Sequence, residues 1–379
     1  MTVQFPATIR YEVVHTTVYS YSAPVTFGEH RVMFRPRDSH DLRVLATDLQ
    51  VSPNAIVRLI QDPHSNSVAL VQPLGPATEL RIVCSFTIEH ANSNNLELPL
   101  SPGAEFYPFA YSVDERFDLE HYLRPHFDDP SGELTAWARQ FISTDGPTGT
   151  RDMLVKMNHH IRNHFTYASR DEEGTQPPLT TLKLGSGTCR DFALLMMEAG
   201  RRLNVAMRFV SGYLYDPSLD TKYAYLSSSA QTGTSQSQSS FNSVGQASTV
   251  GQTSTAGQAS TIGHASTISH ASAISHASTI SHASAVGHAS TVGHGSTVGH
   301  GSTVGAGSTH AWLQAYLPGA GWVPFDPTNN FLGGNQLIRV GVARDPSLAA
   351  PISGSWYGKA GAYVGMTATV QVHRVRLNG

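Results

Sequence analysis

Gly185-Ser186-Gly187-Thr188-Cys189-Arg190-Asp191-Phe192-Ala193-Leu194-Leu195-Met196-Met197 is the stretch on which the reading of this chain turns. A glycine-rich run ends on a cysteine. The residues after it, through Ala199, are apolar on nearly every side, as in a helix buried within a core rather than laid on a surface. A cysteine in the first turn of such a helix feels the partial positive charge of the unpaired N–H groups there. That field lowers a thiol's pKa and makes thiolate available near neutral pH.

Working outward, the next chemistry-bearing residues are His310, in Thr309-His310-Ala311-Trp312, and Asp326, in Gly321-Trp322-Val323-Pro324-Phe325-Asp326-Pro327. Nucleophile, base and base-orienting carboxylate thus occur in the order Cys189, His310, Asp326. Cys84 is of another kind. It falls in Leu80–Ile88, where Ile82, Cys84, Phe86 and Ile88 alternate onto one side of an expected strand, and free cysteine is among the most buried residue types.

Residues 1–110 read as all-β, with dense β-branched and aromatic runs (Ile9–Tyr19, Leu80–Ile88) separated by turn clusters such as Ser52-Pro53-Asn54, which suggests a β-sandwich. From about residue 130 the period changes. Glu133–Ile142 and Met153–Phe165 predict amphipathic helices, and the Cys189 helix follows. Strands are expected at Ala206–Leu214, Ala311–Leu317, Gln336–Ala343 and Thr367–Arg376. The fold class is therefore α+β: an N-terminal β-sandwich, then a catalytic domain (111–226 and 306–379) with helices packed on an antiparallel sheet.

Between those two parts lies a low-complexity insertion, 227–305. From Gln246 to Gly305 a six-residue unit recurs ten times, and histidine opens seven of the units: His264, His270, His276, His282, His288, His294 and His300. One small aliphatic residue per unit does little to offset the entropy of ordering the chain, which favours a loop grown by repeat expansion. A short hexapeptide β-solenoid and a metal-binding histidine tract remain open readings.

Composition excludes some classes. The chain has 379 residues, a net charge of −3 and only 14% charged residues, against roughly 25% in an average domain. That gives no basic footprint for nucleic acid. Most of the deficit is local: no Asp, Glu, Lys or Arg occurs between Lys222 and Asp326. No run approaches the roughly 20 apolar residues of a membrane span, and the N-terminus has no basic segment followed by an apolar one. Two cysteines argue against a disulfide framework. The expected location is cytoplasmic.

The Cys189 segment, Arg208-Phe209-Val210-Ser211-Gly212-Tyr213-Leu214, the His310 segment and Gly319–Asn329 together resemble the bacterial transglutaminase-like, papain-related cysteine hydrolases. The first hundred residues resemble the β-rich N-terminal domain often joined to that core, and the tail from Arg339 resembles the segment that closes it. The resemblance implies a papain-like core and a cysteine hydrolase acting on peptide, isopeptide or related amide bonds, or transferring the acyl group to an amine. Cys189 would be nucleophile, His310 base and acid, and Asp326 the group that orients the imidazole. Tyr167 would stand in the pocket wall. Association with ATP-grasp-type ligases and helical partner proteins is implied by the resemblance alone.

The departure from the family lies between nucleophile and base. Removing the repeats from the 189–310 interval leaves about 60 residues, enough for a strand pair and its loops, so the repeats are expected to loop out and leave the site intact. Their last unit nevertheless runs almost directly into His310, where about 1 Å of error can cost on the order of 10²-fold in rate.

Two other classes are carried alongside. His160 and His164, four apart beside His159, suit a zinc pair, but no glutamate stands between them. No cofactor is expected, and the absence of an Asp-rich calcium loop implies no metal requirement. A non-enzymatic scaffold, with the triad as a relic and the β domain and repeats as contact surfaces, is the remaining alternative. Arg190 and Asp191 either steer substrate or form a salt bridge at the helix start.

Overall fold

The structure is a computed structural model that describes residues 8–91, 97, 99–170, 174–220, 277–281 and 303–375, with 277–281 as backbone only. Apart from those five residues and the last three of the final unit, the repeats fall outside the described residues, and so do the three readings of them.

Alternation of apolar and polar residues builds the N-terminal half. β1 (Thr8–Phe27) turns Tyr11, Val13, His15, Thr17, Tyr19 and Tyr21 inward. β2 (His30–Val32), β3 (Leu42–Ser52), β4 (Ala55–Gln61), β5 (Ser67–Pro73) and β6 (Ala77–Ala91) follow. β6 buries Leu80, Ile82, Cys84, Phe86 and Ile88, the face its alternation predicts.

The helical part interposes short strand pairs between helices: β7 (Phe106–Tyr107), α1 (Val113–Leu123), α2 (Glu133–Arg139), β8 (Thr148–Gly149), α3 (Thr150–His164), β9 (Thr166–Tyr167), α4 (Pro178–Leu184), β10 (Ser186–Gly187) and α5 (Cys189–Arg202). After them come β11 (Met207–Leu214), β12 (Ala277–Ser281), β13 (Thr309–Leu317), β14 (Gly321–Phe325), β15 (Leu337–Ala343), β16 (Ile352–Tyr357) and β17 (Tyr363–Val375).

Nine strands form one sheet in the order β3-β6-β1-β16-β2-β5-β4, with β17 paired to β1 and β12 to β16. A register shift after Ser20 redirects β1, so its last residues pair with β16 (Phe27↔Trp356) while the rest lies between β6 and β17. The sequence groups 306–379 with the catalytic segment. Hydrogen bonding instead carries the last part of that range back onto the N-terminal sheet, where β17 covers an edge of β1 that would otherwise expose unpaired N–H and C=O groups.

The second sheet, β14-β13-β11-β15, is antiparallel throughout. α5 packs against β13, and Leu195, Met196 and Ala199 belong to the same buried core as Ala311, Leu313 and Ala315. Every residue of α5 from Cys189 to Arg201 is buried. Its charged end is held by a closed network: Glu198 accepts from Arg201 (2.8 Å), Arg202 (2.9 Å) and the His126 and Phe127 N–H groups, while Arg201 also donates to the carbonyls of Tyr122, Met207 and Arg344. Buried charges are tolerated when partners satisfy them in this way. The network fixes the helix axis, and with it the position of the helix start.

Candidate active site

The glycine run does two different jobs. Gly185, at φ +59°, ends α4 in the left-handed region. Gly187 leaves room for a close approach, since a Cβ there would come 2.8 Å from Asp191 Cβ and 3.0 Å from Gln176 Nε2. The turn delivers Thr188 as N-cap and Cys189 as first residue of α5. Asp191 locks it, accepting from Thr188 N and Oγ1, both at 2.8 Å, from Gln176 N at 2.7 Å, and from Arg170 Nε and Nη2 at 2.9 and 3.0 Å. The sequence left Asp191 between two roles; in the structure it is a buried salt-bridge partner that holds the turn.

His310 is the second residue of β13, opposite Gly212 of β11. Asp326 follows β14 directly and closes a one-bridge turn through its N–H to the Phe331 carbonyl (2.8 Å). Antiparallel pairing of β13 with β14 brings the two side chains together, with His310 Nε2 2.8 Å from Asp326 Oδ2. Both residues are enclosed, at 1% and 0% exposed, and Cys189 is 5% exposed. His310 Nδ1 is buried and has no hydrogen-bond partner among the described residues, so it is the ring nitrogen not committed to Asp326.

Burial alone would push the His310 imidazole down. The Asp326 carboxylate outweighs it, with help from the Cys189 side chain, and the imidazole is raised to about 10. Burial likewise pushes the Asp326 carboxyl up, and the His310 ring, the Asn329 amide and the Thr328 N–H reverse this and hold it below the usual carboxylate range. Cys84 stands apart in β6, its thiol pushed up to about 12, mainly by burial.

Asn329 is the residue that sequence reasoning missed. Its Nδ2 donates to Asp326 Oδ2 (3.0 Å) and to the Val304 carbonyl (3.0 Å), and its Oδ1 accepts from Val304 N (2.8 Å). Thr303 donates to Asp216, just beyond the end of β11, so the last repeat unit is tied to the end of that strand. Gly305, at φ +95°, then passes beside the imidazole, where a Cβ would sit 2.6 Å from His310 Nδ1. The Asp-Pro-Thr-Asn run was the available signal, since Asp and Asn at that spacing favour side-chain-closed turns.

The aromatic residues divide. Trp312 is buried and stacks on His310, with ring centroids 5.9 Å apart and planes at 25°. Trp322 packs instead against Tyr122 and Tyr316, with the Arg208 guanidinium 4.0 Å from its ring. Tyr167 pairs in β9 with Gly187 of β10, two residues before Cys189. His160 and His164 stack on each other at 4.1 Å, and His159 meets Asn330. Among the described residues no group of three or more His, Cys, Asp or Glu is arranged to hold a metal ion.

Two family profiles match this chain: the bacterial transglutaminase-like N-terminal region over residues 11–89, and the transglutaminase-like superfamily core over residues 135–327. The chain belongs to the transglutaminase-like superfamily. A relative by sequence is an uncharacterised protein of Mycobacterium leprae, 23% identical over 92% of this chain and 94% of that one. A similar solved structure is that of a candidate cysteine protease from Cytophaga hutchinsonii, with a TM-score of 0.58 and 15% identity over 99% of this chain and 94% of that one, which shows a shared fold. The superfamily core match spans Cys189, His310 and Asp326 and ends just beyond the last of them. No helix among the described residues is long and apolar enough to cross a membrane.

Proposed function

We propose that this protein is a cysteine-nucleophile hydrolase that cleaves peptide, isopeptide or related amide bonds through an acyl-enzyme. The observation that carries the reading is the division of labour on one buried ring. His310 Nε2 is committed to Asp326 at 2.8 Å, while Nδ1 is kept for the sulfur. An imidazole raised to about 10 persists as imidazolium at neutral pH, as a thiolate partner must.

In this mechanism the Cys189 thiolate attacks the amide carbon, and the oxyanion that forms faces the N–H groups at the start of α5. As the C–N bond breaks, His310 passes its Nδ1 proton to the departing amine and a thioester remains. Water then gives a proton to Nδ1 and attacks the thioester. The proton returns to sulfur as the acid leaves. Asp326 stays ionised and holds the ring throughout.

Transfer of the acyl group to an amine differs only in the second step. Cytoplasmic location belongs to the same reading and is supported by two free thiols. So does cooperation with ATP-grasp-type ligases, which build amides of the kind a hydrolase removes and which the family resemblance implies. The N-terminal strands are read as a β-sandwich, and 227–305 as an insertion carried by a papain-like core.

The test is to incubate the protein with peptide and isopeptide amides and follow amine release together with acyl mass on Cys189. Release lost in Cys189→Ala, with acyl mass discharged by water, supports hydrolysis. Discharge only by an added primary amine makes it a transferase, and no acylation with any substrate returns the scaffold reading.

A further inference from the structure

β4 ends the larger sheet, with β5 on one side and no strand on the other among the described residues. Edge strands are usually guarded by charge, by a bulge or by a covering segment, because their free N–H and C=O groups pair readily with another chain. β4 carries Ala55-Ile56-Val57-Arg58-Leu59-Ile60-Gln61, and both of its faces are open. Ile56 and Ile60 are exposed on one face, and Val57 and Leu59 on the other, with Leu59 at 71%. Four neighbouring aliphatic side chains thus meet water on a strand that could still be paired.

The bonds to β5 determine which backbone groups are free. In an antiparallel pair, residues alternate between exchanging bonds with the neighbour and pointing their N–H and C=O away from it. Leu74 N donates to the Asn54 carbonyl (2.7 Å) and Asp62 N to the Asn66 carbonyl (3.2 Å). Both continue the register that sets Ala55 against Pro73 and Gln61 against Ser67. The even-numbered residues therefore bond to β5, and Ala55, Val57, Leu59 and Gln61 point their backbone groups outward. Pro53 and Pro63 come next in that outward series, one at each end and equally far from Arg58. Neither has an N–H to offer. The free edge is bounded, and it is symmetric about Arg58.

A two-fold interface requires a self-complementary patch of this kind. An antiparallel copy centred on Arg58 sets Val57 against the partner's Leu59 and Ala55 against the partner's Gln61. Every outward residue then meets another, and the prolines fall outside the seam. A slip of two residues would put an outward residue of each strand against a proline, and a slip of one would set outward groups against inward ones. Like charges on the axis would oppose pairing. Each Arg58, however, is bonded to Glu29 of its own chain at 2.6 Å, so the axis joins two neutral pairs whose charges can alternate.

We propose that this protein forms a two-fold dimer in which β4 pairs antiparallel with β4 of a second copy, centred on Arg58. The seam is short, which places the dimer among the weaker specific associations.

Sedimentation velocity of the full chain from about 1 to 100 µM tests this, with a monomer–dimer equilibrium expected. Leu59→Lys should weaken it by about tenfold or more, since the axis applies each change twice. Leu59 is exposed, so that variant should keep the wild-type Tm. Register is read by oxidation in a Cys189→Ala background. Arg58→Cys should cross-link to its own copy, because a residue on the axis in a non-hydrogen-bonded pair lies within disulfide reach. Ile56→Cys and Ile60→Cys should each fail alone and cross-link when the two variants are mixed.

A monomer at about 100 µM would overturn the proposal. If the Val57 and Leu59 amides of that monomer were nonetheless protected from hydrogen exchange, the edge would belong to another strand of the same chain. A dimer unchanged by Leu59→Lys, or cross-linked equally at all three positions, would also overturn it.

Discussion

Asp326 Oδ2 takes two hydrogen bonds at once, from His310 Nε2 at 2.8 Å and from Asn329 Nδ2 at 3.0 Å, and the same Asn329 amide holds Val304 at the exit of the repeat insertion. Asp326, the proposed orienting group, is thus itself held by a residue that also holds the end of the repeats. Asn329→Ala should slow Cys189 alkylation at pH 6 by about 10- to 100-fold, the cost of a small misplacement of the base. Thermal unfolding, followed in parallel, should show only a modest loss of stability.

Gly305 and Gly307 form a matched pair. Both adopt positive φ, +95° and +82°, but only at Gly305 would a Cβ meet the His310 ring. Each alanine substitution should cost about 1–2 kcal/mol for the left-handed backbone. Gly305→Ala alone should also suppress Cys189 reactivity by an order of magnitude or more. Chemical denaturation and alkylation rates, measured on both variants, separate the two effects.

The Thr303–Asp216 and Val304–Asn329 contacts predict how much of the insertion the site requires. Deleting whole repeat units upstream of Thr303 should leave Cys189 labelling within about twofold of the full chain, since loop length itself carries a small closure cost. A deletion that also takes Val304 and Gly305 should lower the rate to that of Asn329→Ala. Time-resolved peptide mass on the two deletions provides the comparison.

Buried histidines set the acid limit of stability. His15, bonded to Tyr213 Oη (2.9 Å) and Thr17 Oγ1 (3.0 Å), is lowered to about 3 by burial. His90 is lowered to about 4, again chiefly by burial. Below about pH 6.5 the unfolded chain therefore holds more protons than the folded one. Stability should fall with pH by up to about 1.4 kcal/mol per unit for each histidine, down to the folded-state values. His310 acts in the opposite direction: its contribution is complete below about 6.5 and is lost as the pH rises through about 10. These groups place the maximum near pH 6–7. Urea denaturation across pH 4–9 should show it, and His15→Gln should flatten the acid limb.

Much of the site could be read from the sequence because its signals are local. Alternation in β6 fixes which face carries Cys84, and the all-round apolar run after Cys189 marks a central helix. α1 escaped for a physical reason: Val113 and Phe117 are exposed and only Leu119 and Tyr122 are buried, so it has no apolar stripe to find. Its signature is the Ser112–Glu115 capping box instead. The pairing of β17 with β1 joins residues more than 300 positions apart and leaves no mark in either strand's own pattern. Asn329 and Gly305 matter only because two strand ends and the insertion exit meet at one ring, which spacing cannot show.

The central claim is that Cys189 and His310 form a thiolate–imidazolium pair, and the pH dependence of Cys189 alkylation tests it most directly. The rate is read by peptide mass with Cys84, buried and with its thiol raised to about 12, as internal control. The account predicts rapid labelling of Cys189 that persists to about pH 6 and is lost in His310→Ala, with Cys84 unlabelled throughout. Slow labelling that rises only near pH 8.5, as for an ordinary thiol, and is unchanged in His310→Ala would contradict it.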